Sequence, residues 1–374
     1  MSRSMSIAAV ISSLQCGGAE RVMTTLCNAW SIDHRVTLFT FASAESIPFF
    51  TLAPAVDHRP LNLLGVSRSP LPGVLANARR VLTMRGVLRS LRPDVVVAFG
   101  DQTNVIALLA GVSAPWPVIV SERTDPRNVP LNRAWTILRQ LAYRRAAAIV
   151  LVAEEGREWF GRSLASRVHV LPNPVTTRLS AHVVSPQVED VVRLVTVGRL
   201  AREKGLDLLL HALHMLPADL AAQWTLEVVG DGPDRGMLMR LAEDLRLADR
   251  VRWVGFVPDP APYVQSGDVF VLPSRFEGFP NALAEAMALG RTVLSTDCRS
   301  GPRELITDGV NGLLVAPNDP AAIASGLERL LRDRALRARL AEAAPAATRG
   351  LAVDAIRRRW EALFEEVTTQ RGRE

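Results

Sequence analysis

Lysine is almost missing from this chain. Lys and Arg together number 44, and Lys204 alone among them is lysine. Arginine is a planar fork and lysine a compact ammonium on a flexible stem, so the position is either a stray survivor or one that needs a point charge. Cysteine is also scarce. Cys16, Cys27 and Cys298 form no C-x-x-C pair, which excludes a disulfide framework or a cysteine zinc site and suggests a reduced cytosolic setting. No apolar run approaches 18 residues, so no transmembrane helix is expected. The opening "MSRSMSIAAVISSLQC" loosely mimics a secretion signal, but its apolar run is short and no small-x-small cleavage site follows. It reads as a buried first strand. There is no G-x-G-x-x-G fingerprint. The chain also lacks an RNP motif, a zinc finger and a clear helix-turn-helix, which argues against a nucleic-acid-binding protein.

What is present is a 374-residue chain, 48% hydrophobic, long enough for two cores. The net charge of +6 is uneven: residues 1–180 carry +9 and the remainder −3. A basic half suggests an anionic partner. Short apolar runs alternate with helical segments. In the first half they are "SIAAVIS", "RVTLFTF", "DVVVAFG", "PVIVSER", "AAIVLVA" and "RVHVLPN". In the second they are "RLVTVGRL", "WTLEVVGDG", "VRWVGFV", "DVFVLPS", "RTVLSTD" and "GLLVAPN". Near-continuous apolar strands are buried on both faces, so the expected class is α/β: two Rossmann-like domains with parallel sheets and a cleft between them. The domains are drawn at 1–175 and 190–355, joined by the proline-bearing stretch 172–192, with a terminal helix over about 356–374 packing back on the first.

Ligands of such sheets bind beyond the carboxyl ends of the strands. Arg199 and Lys204 follow "RLVTVGRL", and two cations there suit a diphosphate. "PSRFEGFPNALAEAMALG" reads as a strand end, a loop with Glu277, Gly278, Phe279 and Pro280, and a helix from about Asn281 with Pro280 at its start. The free N–H groups at that end form an anion site, and Glu277 and Glu285 can accept hydrogen bonds from sugar hydroxyls. Plainer readings stand beside these: a surface ion pair for Arg199, a helix-dipole partner for Glu277, a surface charge for Glu285. Gly17-Gly18 in "QCGGAERVM" lets the backbone approach a ligand closely, or is an ordinary turn.

Together these pieces resemble glycosyltransferase family 4, the retaining enzymes of GT-B architecture. The resemblance rests on "GGAERV", "LPNPV", "VGRLAREKGLDLLL", "VVGDGP", "VGFVPD", "SRFEGFPNALAEAMALG", "SGPRELI" and "NGLLVAPND", in that order along nearly the whole chain. It implies that Arg199 and Lys204 hold the donor diphosphate, Glu285 the nucleotide ribose, and Glu277 with Gly278, Phe279, Pro280 and Asn281 the donor sugar. Gly17 and Gly18 would lie near the donor phosphates, and the first domain would take the acceptor. No two aspartates stand two positions apart, so the D-x-D of metal-dependent glycosyltransferases is missing, and catalysis without metal or other cofactor is implied. Many members carry a histidine where this chain has "VSERTDPRN"; Asp101, Glu122 and Arg123 are the acceptor-side candidates instead. That departure resembles a subgroup extending lipid-diphosphate-linked bacterial glycans, often from N-acetylhexosamine donors.

The implied partners are a nucleotide-sugar donor, UDP-linked, a lipid-linked or other glycan acceptor, and the anionic cytoplasmic face of the inner membrane. Two segments suggest the membrane contact. One carries Arg79, Arg80, Arg85, Arg89 and Arg92, with Val81, Leu82, Leu88 and Leu91 as its apolar side. The other carries Arg123, Arg127, Arg133, Arg139, Arg144 and Arg145, with Trp135, Ile137, Leu138, Leu141 and Tyr143 between them. Either could instead pack its apolar side on the sheet and solvate the rest. Rival enzymes on the same fold are a sugar phosphorylase, whose lone lysine would hold pyridoxal phosphate, and a sugar-nucleotide epimerase.

Overall fold

In a computed structural model the described residues are 3–64, 70–124, 127, 131–176 and 191–371. Most of the expected linker, residues 177–190, lies outside them, as do positions 125, 126 and 128 of the "VSERTDPRN" loop. The chain divides into two compact units, Met1–Pro174 with Val353–Glu374, and Val175–Ala352.

The first unit is built on seven strands: β1 (Ser6–Ile11), β2 (Arg35–Thr40), β3 (Val56–Pro60), β4 (Val95–Phe99), β5 (Val118–Ser121), β6 (Ala148–Leu151) and β7 (Val168–Val170). They are ordered β3-β2-β1-β4-β5-β6-β7, all parallel. The second has six: β8 (Val192–Val197), β9 (Trp224–Val229), β10 (Val251–Gly255), β11 (Val269–Leu272), β12 (Thr292–Thr296) and β13 (Leu313–Val315). Their order is β10-β9-β8-β11-β12-β13, again all parallel. Both sheets reverse direction beside their first strand, between β1 and β4 and between β8 and β11. Loops leaving those two neighbours diverge to opposite faces, opening the crevice where α/β sheets take ligands.

All twelve apolar runs become strands; the central ones β4, β5, β6, β11 and β12 are buried on both faces, while β7, β10 and β13 towards the sheet edges are only partly buried. β3 was not anticipated. Its sequence, VDHRP, is polar, and it pairs only with β2 at the sheet edge, where Asp57 stays exposed and Pro60 costs no ladder bond.

One face of the first sheet is covered by three helices side by side, Pro70–Leu91, Asp101–Ala110 and Arg133–Tyr143. The first of these buries Met84 and Leu88, while Leu82, expected on its apolar side, is 68% exposed. The third is capped by Asn132, which accepts from the Trp135 N–H at 3.0 Å. It buries Tyr143 and Arg139, so Arg139 is not among the solvated cations, and it leaves Ile137 and Leu141 exposed. On the other face Trp30, from the helix Gly18–Trp30, meets Trp360 and Phe364 edge-on at ring-centre distances of 5.7 and 5.3 Å. Those two rings belong to the terminal helix Val353–Arg371, which ion-paired Arg357 and Asp33 also tie down at 2.6 Å. That helix therefore belongs to the first unit, starting three residues before the expected 356.

Candidate active site

In the second unit the chain leaves β8 and makes a short turn over Arg202–Lys204 that ends at Gly205. Gly205 has φ +65°, and a Cβ there would lie 2.1 Å from the Pro273 carbonyl oxygen. Only glycine permits both the left-handed backbone and that approach. The close approach draws the turn onto the end of β11. Arg275 then staples the two loops. Its N–H donates to the Glu203 carbonyl at 2.8 Å, and its guanidinium to the Arg202 carbonyl at 2.8 Å. It also grips Asp207 with two bonds of 2.7 and 2.6 Å. Burial alone would raise the Asp207 carboxyl, but those bonds hold it below its ordinary value.

With the loops joined, Lys204 Nζ donates to both carboxylate oxygens of Glu277, at 2.7 and 2.8 Å. Glu277 is 5% exposed and also accepts from Ser274 Oγ at 2.6 Å. Thr296 Oγ1, from the end of β12, donates to the Ser274 carbonyl at 2.5 Å and fixes that strand end in turn. An ammonium has three donors, so one remains after Glu277 is served. Arg199, just past β8, is exposed and makes no ion pair or hydrogen bond from its side chain among the described residues.

The helix after β11 runs Asn281–Ala288. Pro280 precedes it as the N-cap, with φ −81° and ψ 72°, so it is not the first helical residue. It is pinned there by Gly301, where an added Cβ would lie 2.4 Å from Pro280 Cδ. Phe279 is buried, Gly278 and Asn281 are half-buried, and Glu285 is half-buried within the helix. Arg199, Lys204, Glu277 and the start of this helix thus share the carboxyl end of the second sheet at its reversal point. Arg275, Asp207 and Ser274, which hold that group in place, had no marker in the sequence.

In the first unit Gly17 caps the helix Gly18–Trp30 and is half-buried, with Gly18 exposed. An added Cβ at Gly17 would lie 2.2 Å from Glu20 Oε2, because the Glu20 side chain folds back over it. Asp101 opens the helix Asp101–Ala110, half-buried beyond β4. Glu122 and Arg123 follow β5 and point to opposite sides. Glu122 is 3% exposed; it accepts from Tyr143 Oη at 2.5 Å and lies 3.6 Å from Arg139. Asn104 donates to the same Tyr143 oxygen at 2.9 Å. Burial, offset in part by Tyr143 and Arg139 and aided by Asp101, pushes the Glu122 carboxyl up to about 7. Its carboxyl is therefore occupied inside the unit by Tyr143 and Arg139. Arg123 is half-buried, stacked 4.3 Å over the Phe99 ring, and donates to Ser121 Oγ at 3.0 Å and to Asn173 Oδ1. Among the described residues no three His, Cys, Asp or Glu side chains gather where they could hold a metal ion.

The chain matches two family profiles end to end, "Glycosyltransferase Family 4" over residues 16–179 and "Glycosyl transferases group 1" over 180–347. It is 27% identical, over 97% of its length and 99% of the relative's, to a Campylobacter jejuni enzyme. That relative is named GalNAc-alpha-(1->4)-GalNAc-alpha-(1->3)-diNAcBac-PP-undecaprenol alpha-1,4-N-acetyl-D-galactosaminyltransferase. It is 28% identical to the lipopolysaccharide 1,6-galactosyltransferase of Escherichia coli over 69% of this chain and 71% of that one. In fold it resembles Anabaena HepE, solved in complex with UDP, with a TM-score of 0.77 at 21% identity over 97% and 100% of the two chains. The order of motifs, the paired parallel sheets and these matches agree: the chain belongs to glycosyltransferase family 4 and is a glycosyltransferase of GT-B fold.

Proposed function

We propose that the protein moves a sugar, an N-acetylhexosamine in the simplest case, from a UDP-linked donor to a polyprenyl-diphosphate-linked bacterial glycan. The transfer retains configuration and uses no bound metal. The observation that carries this reading is the contact between Lys204 and Glu277 at the ends of neighbouring strands β8 and β11, beside the start of the helix Asn281–Ala288. As the anomeric C–O bond breaks, negative charge grows on the departing diphosphate. Arg199, the remaining Lys204 donor and the helix N–H groups stabilise that charge, which is stabilisation aimed at the transition state. Glu277 lies against Lys204 and is placed to accept from a sugar hydroxyl. Glu285 contacts the ribose, which stays bound throughout. Leaving-group phosphate assists the acceptor hydroxyl. The Campylobacter relative, whose name specifies a PP-undecaprenol acceptor, supports the lipid-linked substrate, and the UDP-bound HepE structure supports the nucleotide.

A lipid-linked acceptor calls for a membrane contact. The contact proposed is peripheral, on the cytoplasmic face; no helix among the described residues is long and apolar enough to cross a bilayer. The two arginine-rich helices of the first unit supply it. Val74, Leu75 and Leu82 on one and Ile137 and Leu141 on the other are exposed, and exposed Arg79, Arg89, Arg133, Arg144 and Arg145 lie among them. Apolar residues entering the headgroup region, with arginines at its surface, describe an interfacial helix pair. The deciding experiment screens UDP-, GDP- and ADP-sugars for thermal stabilisation and then assays turnover on prenyl-diphosphate-linked acceptors. Stabilisation by a UDP-sugar followed by transfer is expected. Absence of both would contradict the reading.

A further inference from the structure

Arg123 is a cation held in place without a counter-ion among the described residues. Three groups fix it: the Phe99 ring at the end of β4, 4.3 Å beneath the guanidinium, Ser121 Oγ at the end of β5, and Asn173 Oδ1 beyond β7. All are neutral. No carboxylate pairs with it among the described residues. The nearest candidate by sequence, Glu122, turns the other way and serves Tyr143 and Arg139. Burial pushes the Arg123 guanidinium below its ordinary range, and no charge among the described residues offsets it. A partly desolvated cation is costly unless paired, and one whose rotamer is fixed by three neutral contacts has already lost the entropy that binding would otherwise remove. A guanidinium carries five donors, and two are used here, so a face of the fork remains for an anion.

We infer that Arg123 is the anchoring cation of an anion subsite at the carboxyl end of the first sheet, and that the anion is the diphosphate of the acceptor. Assigning that anion to the acceptor rests on the transfer reaction proposed above; the subsite itself rests on the geometry of Arg123. The fork suits bidentate contact with phosphate oxygens, and Phe99 sets its plane. Arg123 is on this account a substrate-binding residue, and Phe99 and Asn173 are positioning residues that act through it.

The test uses the full chain saturated with UDP, which keeps the donor phosphate contacts filled. Geranyl diphosphate and inorganic pyrophosphate are titrated separately, and dissociation constants are read for wild type, Arg123→Gln, Arg123→Lys and Asn173→Asp. Arg123→Gln should weaken geranyl diphosphate binding roughly 10- to 100-fold, the range for hydrogen bonds to charged groups. Arg123→Lys should recover part of that. Asn173→Asp, nearly isosteric, gives the guanidinium a permanent carboxylate and should weaken the anion by a similar factor. UDP affinity should not change in any variant. Equal losses for both probes mean that the subsite reads diphosphate from any source. Losses for geranyl diphosphate alone mean that it reads the diphosphate only as a lipid headgroup. Both uphold it. Wild-type binding by Arg123→Gln would overturn it, and if that variant fails to fold, wild-type binding by Asn173→Asp does so alone. Failure of UDP to bind the wild-type protein would instead count against the donor reading, leaving the difference between variants as the measure of the subsite.

Discussion

Lys204 and Glu277, 73 residues apart in sequence, meet in a two-pronged contact with Nζ at 2.7 and 2.8 Å from the carboxylate oxygens. The pair answers the question raised by the single lysine. The ammonium, a compact charge rather than a planar fork, lies against a carboxylate that is 5% exposed.

Because each partner satisfies the other, the two should be coupled in stability. Lys204→Ala leaves the Glu277 carboxylate held by Ser274 alone, and should cost about 1–3 kcal/mol, less than a fully buried pair because the lysine side chain is 26% exposed. Glu277→Gln should cost a similar amount. The double variant should fall short of the sum by at least about 1 kcal/mol in a denaturant-unfolding cycle. Additive effects would show that the contact contributes nothing.

The two glutamates near the helix Asn281–Ala288 should separate in kinetics. Glu285→Ala should raise the donor KM with a smaller effect on kcat, since a ribose contact is uniform through the reaction. Glu277→Ala should lower kcat more than it weakens donor binding, because sugar contacts tighten as positive charge develops on the ring. Steady-state rates across donor concentrations would show whether the two profiles differ. Equal, small effects would return both to structural charges.

Glu122 should make stability depend on pH. Its carboxyl titrates near 7 in the folded chain and near 4.5 when exposed, so between those values the folded state holds a proton that the unfolded state has lost. Its contribution is complete below about 4.5 and is lost as pH rises through about 7, by an amount of order 3 kcal/mol. The groups that face it are Tyr143, Arg139 and Asp101. Glu122→Gln should therefore melt closer to wild type at pH 5 and gain on it at pH 8. Parallel melting curves across that range would contradict the assignment.

Binding to vesicles should follow charge. The wild type should sediment with anionic but not neutral liposomes at low salt, and high salt should release it, at up to about 1 kcal/mol per surface arginine. Replacing Arg79, Arg89, Arg144 and Arg145 by glutamine should weaken this sedimentation while leaving UDP affinity unchanged. No preference for anionic vesicles, with full activity on a soluble acceptor, would remove the membrane from the account.

The sequence revealed what burial dictates and concealed what tertiary contacts decide. Strands such as VFVL in β11 are apolar throughout because helices cover both faces, so they stand out from their surroundings. β3 is an edge strand whose Asp57, His58 and Arg59 carry no such mark, and it forms because β2 offers it a partner. Lys204, Glu277 and Pro280 were legible as strand-end residues, but their contacts were not, since nothing in a linear string pairs Arg275 with Asp207 or Lys204 with Glu277. Side-chain direction was lost where the pattern gave no phase. β5 is VIVS with every residue buried, so nothing told whether Glu122 or Arg123 faced the core. In the helix Pro70–Leu91, apolar residues occur all round, so the pattern does not show that Leu82 faces outward.

The central claim is that Lys204 stabilises charge on the departing diphosphate, and it is tested most directly by turnover at saturating donor and acceptor. Lys204→Ala should lower kcat about 100- to 1,000-fold, the loss expected when one such donor is removed, in a protein that still melts cooperatively. Lys204→Arg should keep the charge but not the geometry and should also fall, by at least about tenfold. Turnover by Lys204→Arg equal to wild type would contradict the account of the single lysine, and full turnover by Lys204→Ala would contradict the catalytic site itself.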